Sequence, residues 1–420
     1  MRRRRLIGLT SALAIVPAFA CAGSDETTDA PPKQEFTPTP VPALEGGTVA
    51  DAPDDVPVAS LKGCSDDGFC YVPVPRSMPL IAVSASSTDD AWMVPQDSGA
   101  LFRWDGSSIK QVYEYDGASP ASITFIGISA QTRDNVWAVA RGGDGRIVLV
   151  RYASPPNGGP PGFRELPTEQ PSTSSIAHWA TPAGDNLWLA TDGSVLRIRE
   201  EASGAVIEDL SPGSDADDPR GYRWSGIWGF APNDVYVAGM VCPSRPCGQQ
   251  SQGAIGHYDG TTWSITTVDA TVDIGSLRGT PPGNDRRLWY VATKRRPGPP
   301  VVTVSTTELV PLDSTGSPGT PIYSLAADEE PACSARVGQA TGPSAGWFSS
   351  GLLLCRWTGN QLAPVRTTVD GRQMVDSLNG IWANGTDDVW IVGAAITRPE
   401  LPGAGFAARR TAVTAQGGTP

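Results

Sequence analysis

The sequence predicts an all-β fold, a seven-bladed β-propeller, and three observations carry that expectation. One phrase recurs at spacings of 43 to 58 residues, a second strand-and-turn phrase follows most of its copies, and helical periodicity is absent. A repeat period of about 40–50 residues with several short strands per unit is the signature of a propeller blade. Composition agrees. Of 420 residues, 47 are Gly, 39 Pro and 13 Trp, with 18% charged and 40% hydrophobic, which fits a turn-rich β chain and not a coiled coil or a wholly disordered one. A formal charge of −12 argues against a nucleic-acid partner, because phosphate contacts need a basic face. Two histidines leave little material for histidine-based metal or triad chemistry, and no metal or cofactor is expected.

Residues 1–20 read as an export signal: Arg2–Arg5, an apolar stretch from Leu6 to Pro17, then Ala18-Phe19-Ala20 before Cys21. Two processing routes fit. Ala18 and Ala20 suit an ordinary signal peptidase, whereas the same segment resembles a degenerate bacterial lipobox in which Cys21 carries the lipid. Removing Cys21 from seven cysteines leaves an even six, which favours the lipid. In an exported chain those six are expected to form three disulfides, most simply Cys64–Cys70, Cys242–Cys247 and Cys333–Cys355, since short loops close with least entropy loss. Residues 21–63 read as the anchor cysteine and a disordered Pro/Thr/Asp-rich tether, 64–414 as the propeller and 415–420 as a tail.

The recurring phrase is a short apolar strand, a turn with an acidic pair, and an aromatic within a second apolar strand. It appears as AVSASSTDDAWMVP (82–95), GISAQTRDNVWAVA (127–140), HWATPAGDNLWLAT (178–191), GIWGFAPNDVYVAG (226–239), SLRGTPPGNDRRLWYVAT (276–293) and GIWANGTDDVWIVG (380–393). ATGPSAGWFSSG (340–351) is a worn seventh copy, so six or eight blades are the alternatives. The second phrase is LFRWDG (101–106), LVRYAS (149–154), VLRIRE (195–200), IGHYDG (255–260) and LCRWTG (354–359). Blade seven lacks a clear fourth strand, and FCYVPVPR (69–76) is the candidate to supply it, which would remove exposed edges.

The aromatics Trp92, Trp137, Trp188, Tyr236, Trp289, Trp347 and Trp390 are expected to pack between blades. The turn acids Asp89, Asp134, Asp185, Asp234, Asp285 and Asp387 are expected to hydrogen-bond turn amides, their spacing being unlike a Ca²⁺ loop. Arg103, Arg151, Arg197, His257 and Arg356 share one strand position. They read as guanidinium or imidazole held by a turn acid or stacked on the blade aromatic, with an anion-binding ring as the sharper alternative. His178 and His257 read as packing residues. Two charged loops, Asp215–Asp218 and Lys294–Arg296, differ from the other blades and are candidate recognition insertions.

In its repeat grammar, residues 74–414 resemble bacterial exported β-propeller lipoproteins with WD40-like or kelch-like organisation. The GH…WD and double-glycine signatures of those two classes are absent, and DGTTW (259–263) departs from the Asp-box of sialidase-type propellers in the place of its glycine. The expected function is a surface-tethered, non-catalytic binding or scaffold module. It would be monomeric and exported as an outer-membrane lipoprotein, meeting the membrane through its N-terminal lipid only and recognising a protein or glycan through blade loops or the central face. The alternatives are a glycosidase- or lyase-type propeller enzyme and an outer-membrane assembly scaffold.

Overall fold

The computed structural model describes residues 63–411, apart from 76–77, 88, 116–122, 157, 174, 203, 213–219, 244–250, 269–271, 281–285, 298–302, 327–332, 334–336, 343–344, 370–371, 374 and 396–404. The export signal, Cys21, the tether up to residue 62, Asp215–Asp218, Cys247, Asp285 and the tail 415–420 lie outside the described residues.

Every regular element among the described residues is a strand, and seven four-stranded antiparallel sheets follow one another along the chain. Their inner strands are Leu80–Ser87, Ile123–Thr132, Ile176–Ala180, Gly221–Ala231, Val272–Gly279, Val337–Gly342 and Val375–Asn384. Each inner strand contacts the inner strands of the blades on either side, and the last contacts the first, so the blades form a closed ring. A bulge occurs in six of the seven inner strands, for example between Leu80 and Ala82, Phe125 and Gly127, and Leu378 and Gly380. Such bulges sharpen the local twist, as each blade of a ring requires. The seven-bladed propeller is therefore established, worn copy included.

The chain ends close the ring. Cys70–Tyr71 pairs antiparallel with Gly405–Arg410 through Cys70↔Arg409 and Tyr71↔Ala408, and Val72 N–H donates to Ala407 O at 2.9 Å. Cys70–Tyr71, within the segment expected to do so, thus supplies the outer strand of blade seven. Phe69 beside it is buried against Trp347, with ring centroids 5.5 Å apart and edge-on at 83°. Disulfides join Cys64 to Cys70 and Cys333 to Cys355, a feature of chains folded in oxidising, exported compartments. Cys242 is buried, and its expected partner Cys247 is not among the described residues.

Seven apolar clusters hold the ring together, one at each blade junction. The second-strand aromatic sits in each: Trp92 packs with Phe125 of blade two, Trp137 with Leu187 of blade three, and Trp188 with Trp224 of blade four. Tyr236 packs with Leu277, Trp289 with Phe348, Trp347 with Leu378, and Trp390 with Leu80 of blade one, completing the circle. One fully buried aromatic per junction is the repeat's structural purpose, since the wedge between blades needs a large rigid filler.

Candidate functional site in the central channel

The shared strand position is read first from cross-strand register. Trp92 lies opposite Arg103, Trp137 opposite Arg151, Trp188 opposite Arg197, Tyr236 opposite His257, Trp347 opposite Arg356 and Trp390 opposite Arg409. The guanidinium carbons stand 4.3–5.8 Å from the ring centroids. Blade four substitutes both members together, His257 stacking on Tyr236 at 4.1 Å and 5°. In blade five Trp289 faces Pro311 instead. These cations are part of the blade framework: Arg103 is held by Asp90 at 2.6 Å, and Arg151 donates to Gly184 O of the next blade at 2.9 Å. Burial brings the Arg151 pKa down to about 10, with Glu200 opposing the shift.

Of the described turn acids, Asp185 accepts from the backbone N–H of Asn186 as expected, and several of them also meet side-chain partners. Asp185 accepts from the Thr181 hydroxyl at 2.6 Å, Asp234 from His257 at 2.9 Å and from Arg286, and Asp387 from Thr386 and Arg410. Asp89 and Asp134 are exposed, Asp89 lying 3.6 Å from Arg409. Amide capping is more extensive in the turn between third and outer strands. Asp105 accepts from Ser107 and Ser108 N–H, Asp259 from Thr261 and Thr262, and Asp313 from Thr315 and Ser317. The reason is topological. The first acidic pair enters the second strand beside the third-strand cation, whereas the later Asp begins a turn whose following amides point back to it. The charged run Lys294–Arg296 is also not a loop: its backbone continues the strand Leu288–Pro297, paired with Val304, Ser305 and Thr306.

The residues that do not repeat are on the inner strands. The inner-strand partner of each blade aromatic is Ser84, Ser129, Trp179, Trp228, Arg278, Gln339 and Trp382 in blade order. All seven line one cavity of about 530 Å³ on the propeller axis. A second chamber of about 590 Å³, lined by Gln96, Asp97, Thr124 and Arg141, shares Ile81 and Asn379 with it. Asp97 holds the left-handed backbone there (φ 50°), a conformation Asp tolerates better than most residues. The ring is thus two hydroxyls, three indoles, one guanidinium and one carboxamide, at positions related by the fold's own symmetry.

Local packing fixes these side chains. The Trp179 indole lies over Gly229 of blade four and the Trp228 indole over Gly279 of blade five. An added Cβ would fall 2.6 Å and 2.2 Å from the two rings, so both glycines are needed for close approach. Ser84 Oγ accepts from Ala130 N–H at 2.9 Å, and Gln339 Oε1 from Ala383 N–H at 3.1 Å, each tying neighbouring blades together. Arg278 donates through Nε to Gly338 O at 2.7 Å and through Nη1 to Leu277 O at 2.8 Å. No carboxylate pairs with it among the described residues, and burial lowers its pKa. His178, one residue away from the ring register, lies over Gly127. Its Nε2 is 3.2 Å from Ile128 O, and because a carbonyl only accepts, Nε2 carries the proton. Burial pushes its pKa below 6.5, assisted by the Arg278 charge.

No known family's sequence profile matches the chain, and no curated protein matches its sequence. Solved structures do resemble it. A virginiamycin B lyase from Staphylococcus aureus, seen with quinupristin, superposes with a TM-score of 0.52 at 14% identity, covering 81% of this chain and 98% of that one. YCF48 bound to D1 peptide gives 0.52 at 14%, covering 86% and 100%. YCF48 from Cyanidioschyzon merolae gives 0.51 at 12%, covering 82% and 99%. At such identity the likeness establishes the propeller fold and nothing about activity.

Proposed function

We propose that the chain is a non-catalytic binding module of the propeller type, exported and held at the outer membrane by a lipid on Cys21, which receives its partner at the central channel. One observation carries this reading: inner-strand positions equivalent by symmetry hold Ser, Ser, Trp, Trp, Arg, Gln and Trp, while the packing positions one strand outward repeat. Side chains that face a void escape the packing constraint that makes blades alike, and a polar-aromatic cavity of this volume is in the range that holds small ligands or inserted side chains. The described lining of the ring-lined cavity offers Arg278 and His178 as its ionisable groups and no carboxylate, a set suited to holding and not to glycoside hydrolysis.

The test is capture by the mature chain on glycan arrays and by in-cell crosslinking, compared with a Trp382→Ser/Gln339→Ala chain of unchanged thermal stability. Capture by the wild type and its loss in the variant is the expected result. Equal capture by both would move recognition away from the channel, and no capture at all would overturn the binding role. Membrane retention of a Cys21→Ser chain would overturn the anchor.

A further inference from the structure

Arg278 differs from Arg103 and Arg151. Arg103 has Asp90 at 2.6 Å, and the buried Arg151 has Glu200 at 3.7 Å. Arg278 lines a cavity and, among the described residues, hydrogen-bonds to the carbonyls of Gly338 and Leu277 and has no carboxylate partner. A desolvated charge without a counter-charge is costly, and the sequence is otherwise rich in acid, with 44 Asp and Glu against 32 Lys and Arg. The Nε and one Nη1 proton are used, which leaves the Nη2 donors for a ligand. Beside Arg278 in the ring are Trp228 on one side and Gln339, then Trp382, on the other.

We propose that this ring binds a small organic monocarboxylate bearing a flat apolar group. The carboxylate takes the free edge of Arg278 with the Gln339 amide beside it, and the flat group lies against the indoles of Trp228 and Trp382. The assignment rests on the binding role proposed above and specifies its ligand. A monoanion is favoured over a phosphate dianion because the chamber supplies one positive charge, His178 being neutral at physiological pH. A carboxylate is favoured over a neutral ligand because it alone supplies the missing counter-charge.

Isothermal titration of the mature chain with phenylacetate and with its neutral isostere phenylacetamide tests this without any substitution. The acid is expected to bind at least ten-fold more tightly. Arg278→Gln, checked for an unchanged melting temperature, should abolish that preference, whereas Trp228→Leu should weaken both probes alike. Equal binding of acid and amide, or tighter binding of inorganic phosphate, would overturn the proposal. So would binding of acetyl-Gly-Glu-Gly-amide in place of the free acid, which would give the site to an acidic side chain of a protein partner. If phenylacetate fails while the array or crosslinking screens still capture a partner through the channel, the monocarboxylate assignment alone falls. If both fail, the binding role falls with it.

Discussion

Phe69 and Trp347 meet where residues near the start of the propeller reach the worn blade, and replacing them tests both the closure and that sixth blade. Both rings are buried, at 2% and 0% exposure, in T-shaped contact at 5.5 Å, and Trp347 also carries the guanidiniums of Arg356 and Arg410 at 5.7 and 5.5 Å. Trp347→Ala would cost about 3–5 kcal/mol, a large share of the ~5–15 kcal/mol that keeps a domain folded, so leucine is the better probe. Trp347→Leu keeps part of the apolar contact and should cost about 2–3 kcal/mol, and Phe69→Leu about 1 kcal/mol. The double variant should lose less than the sum by about 0.5–1.5 kcal/mol, the worth of an aromatic pair beyond its buried area. Urea unfolding followed by far-UV circular dichroism, with Leu352→Ala at a 60%-exposed site as control, supplies the four free energies. A coupling of zero, or a Trp347→Leu chain as stable as the control, would refute the closure and the structural standing of the sixth blade.

Three further outcomes follow from the same structure. The Cys333–Cys355 bridge closes a 22-residue separation against 6 for Cys64–Cys70, so its removal by paired alanines should cost more: about 3 kcal/mol against about 2, read as urea midpoints. Gly279→Ala puts a methyl 2.2 Å from Trp228 Nε1 and should displace that indole, seen as a shifted tryptophan emission with blade packing intact; unchanged emission would contradict the contact. Burial lowers the pKa of both histidines, so the unfolded chain takes up protons that the folded chain refuses once pH falls below about 6.5. Stability should be full above that value and decline as pH drops towards the folded pKa values. A His178→Gln/His257→Gln chain, which has no histidine left, should flatten that decline, and an unaltered slope would count against it.

What could be read in the sequence and what could not divide along the same line as structure and site. Trp92 through Trp390 recur because every blade junction imposes the same wedge, and a constraint met seven times leaves a visible period. The stacked cations were legible as a shared position, though Arg409 of blade seven was missed because GFAARR lacks the turn that flagged the other copies. Amide capping holds at Asp185 of the first acidic pairs, but the fuller capping by the later turn Asp went unread because an Asp before a strand and an Asp before a turn look alike in sequence. Only cross-strand register shows that Asp90 meets Arg103 while Asp105 meets the amides of Ser107 and Ser108. The channel ring gave no recurrent signal at all. Its signal was available in another form: with the copies aligned on their aromatics, the position opposite reads Ser, Ser, Trp, Trp, Arg, Gln, Trp, a set that no shared packing role explains.

That contrast also bears on how a ring of near-identical blades acquires one specific site. A second-strand aromatic is enclosed on all sides, so a change there is felt as a cavity or a clash of several kcal/mol and is resisted in each blade. Apart from Trp179, which is also buried in the cluster between blades three and four, an inner-strand ring side chain has a neighbour on one flank and the cavity on the other, so its replacement is limited chiefly by what it leans on. Trp179 needs Gly229 and Trp228 needs Gly279, each in the following blade, so each indole is matched to a glycine one blade onward. Arg278 comes next, where the backbone carbonyls of Leu277 and Gly338 receive two of its donors in place of another ring. Two indoles followed by a guanidinium therefore form one arc of the channel, while Ser84 and Ser129 leave the opposite arc open. Filling that open arc, as with Ser129→Trp, should occlude the cavity and cut binding of any channel ligand while leaving the seven junction clusters and the urea midpoint unchanged. A loss of stability as large as that of Trp347→Leu would show that the inner positions are packing positions after all.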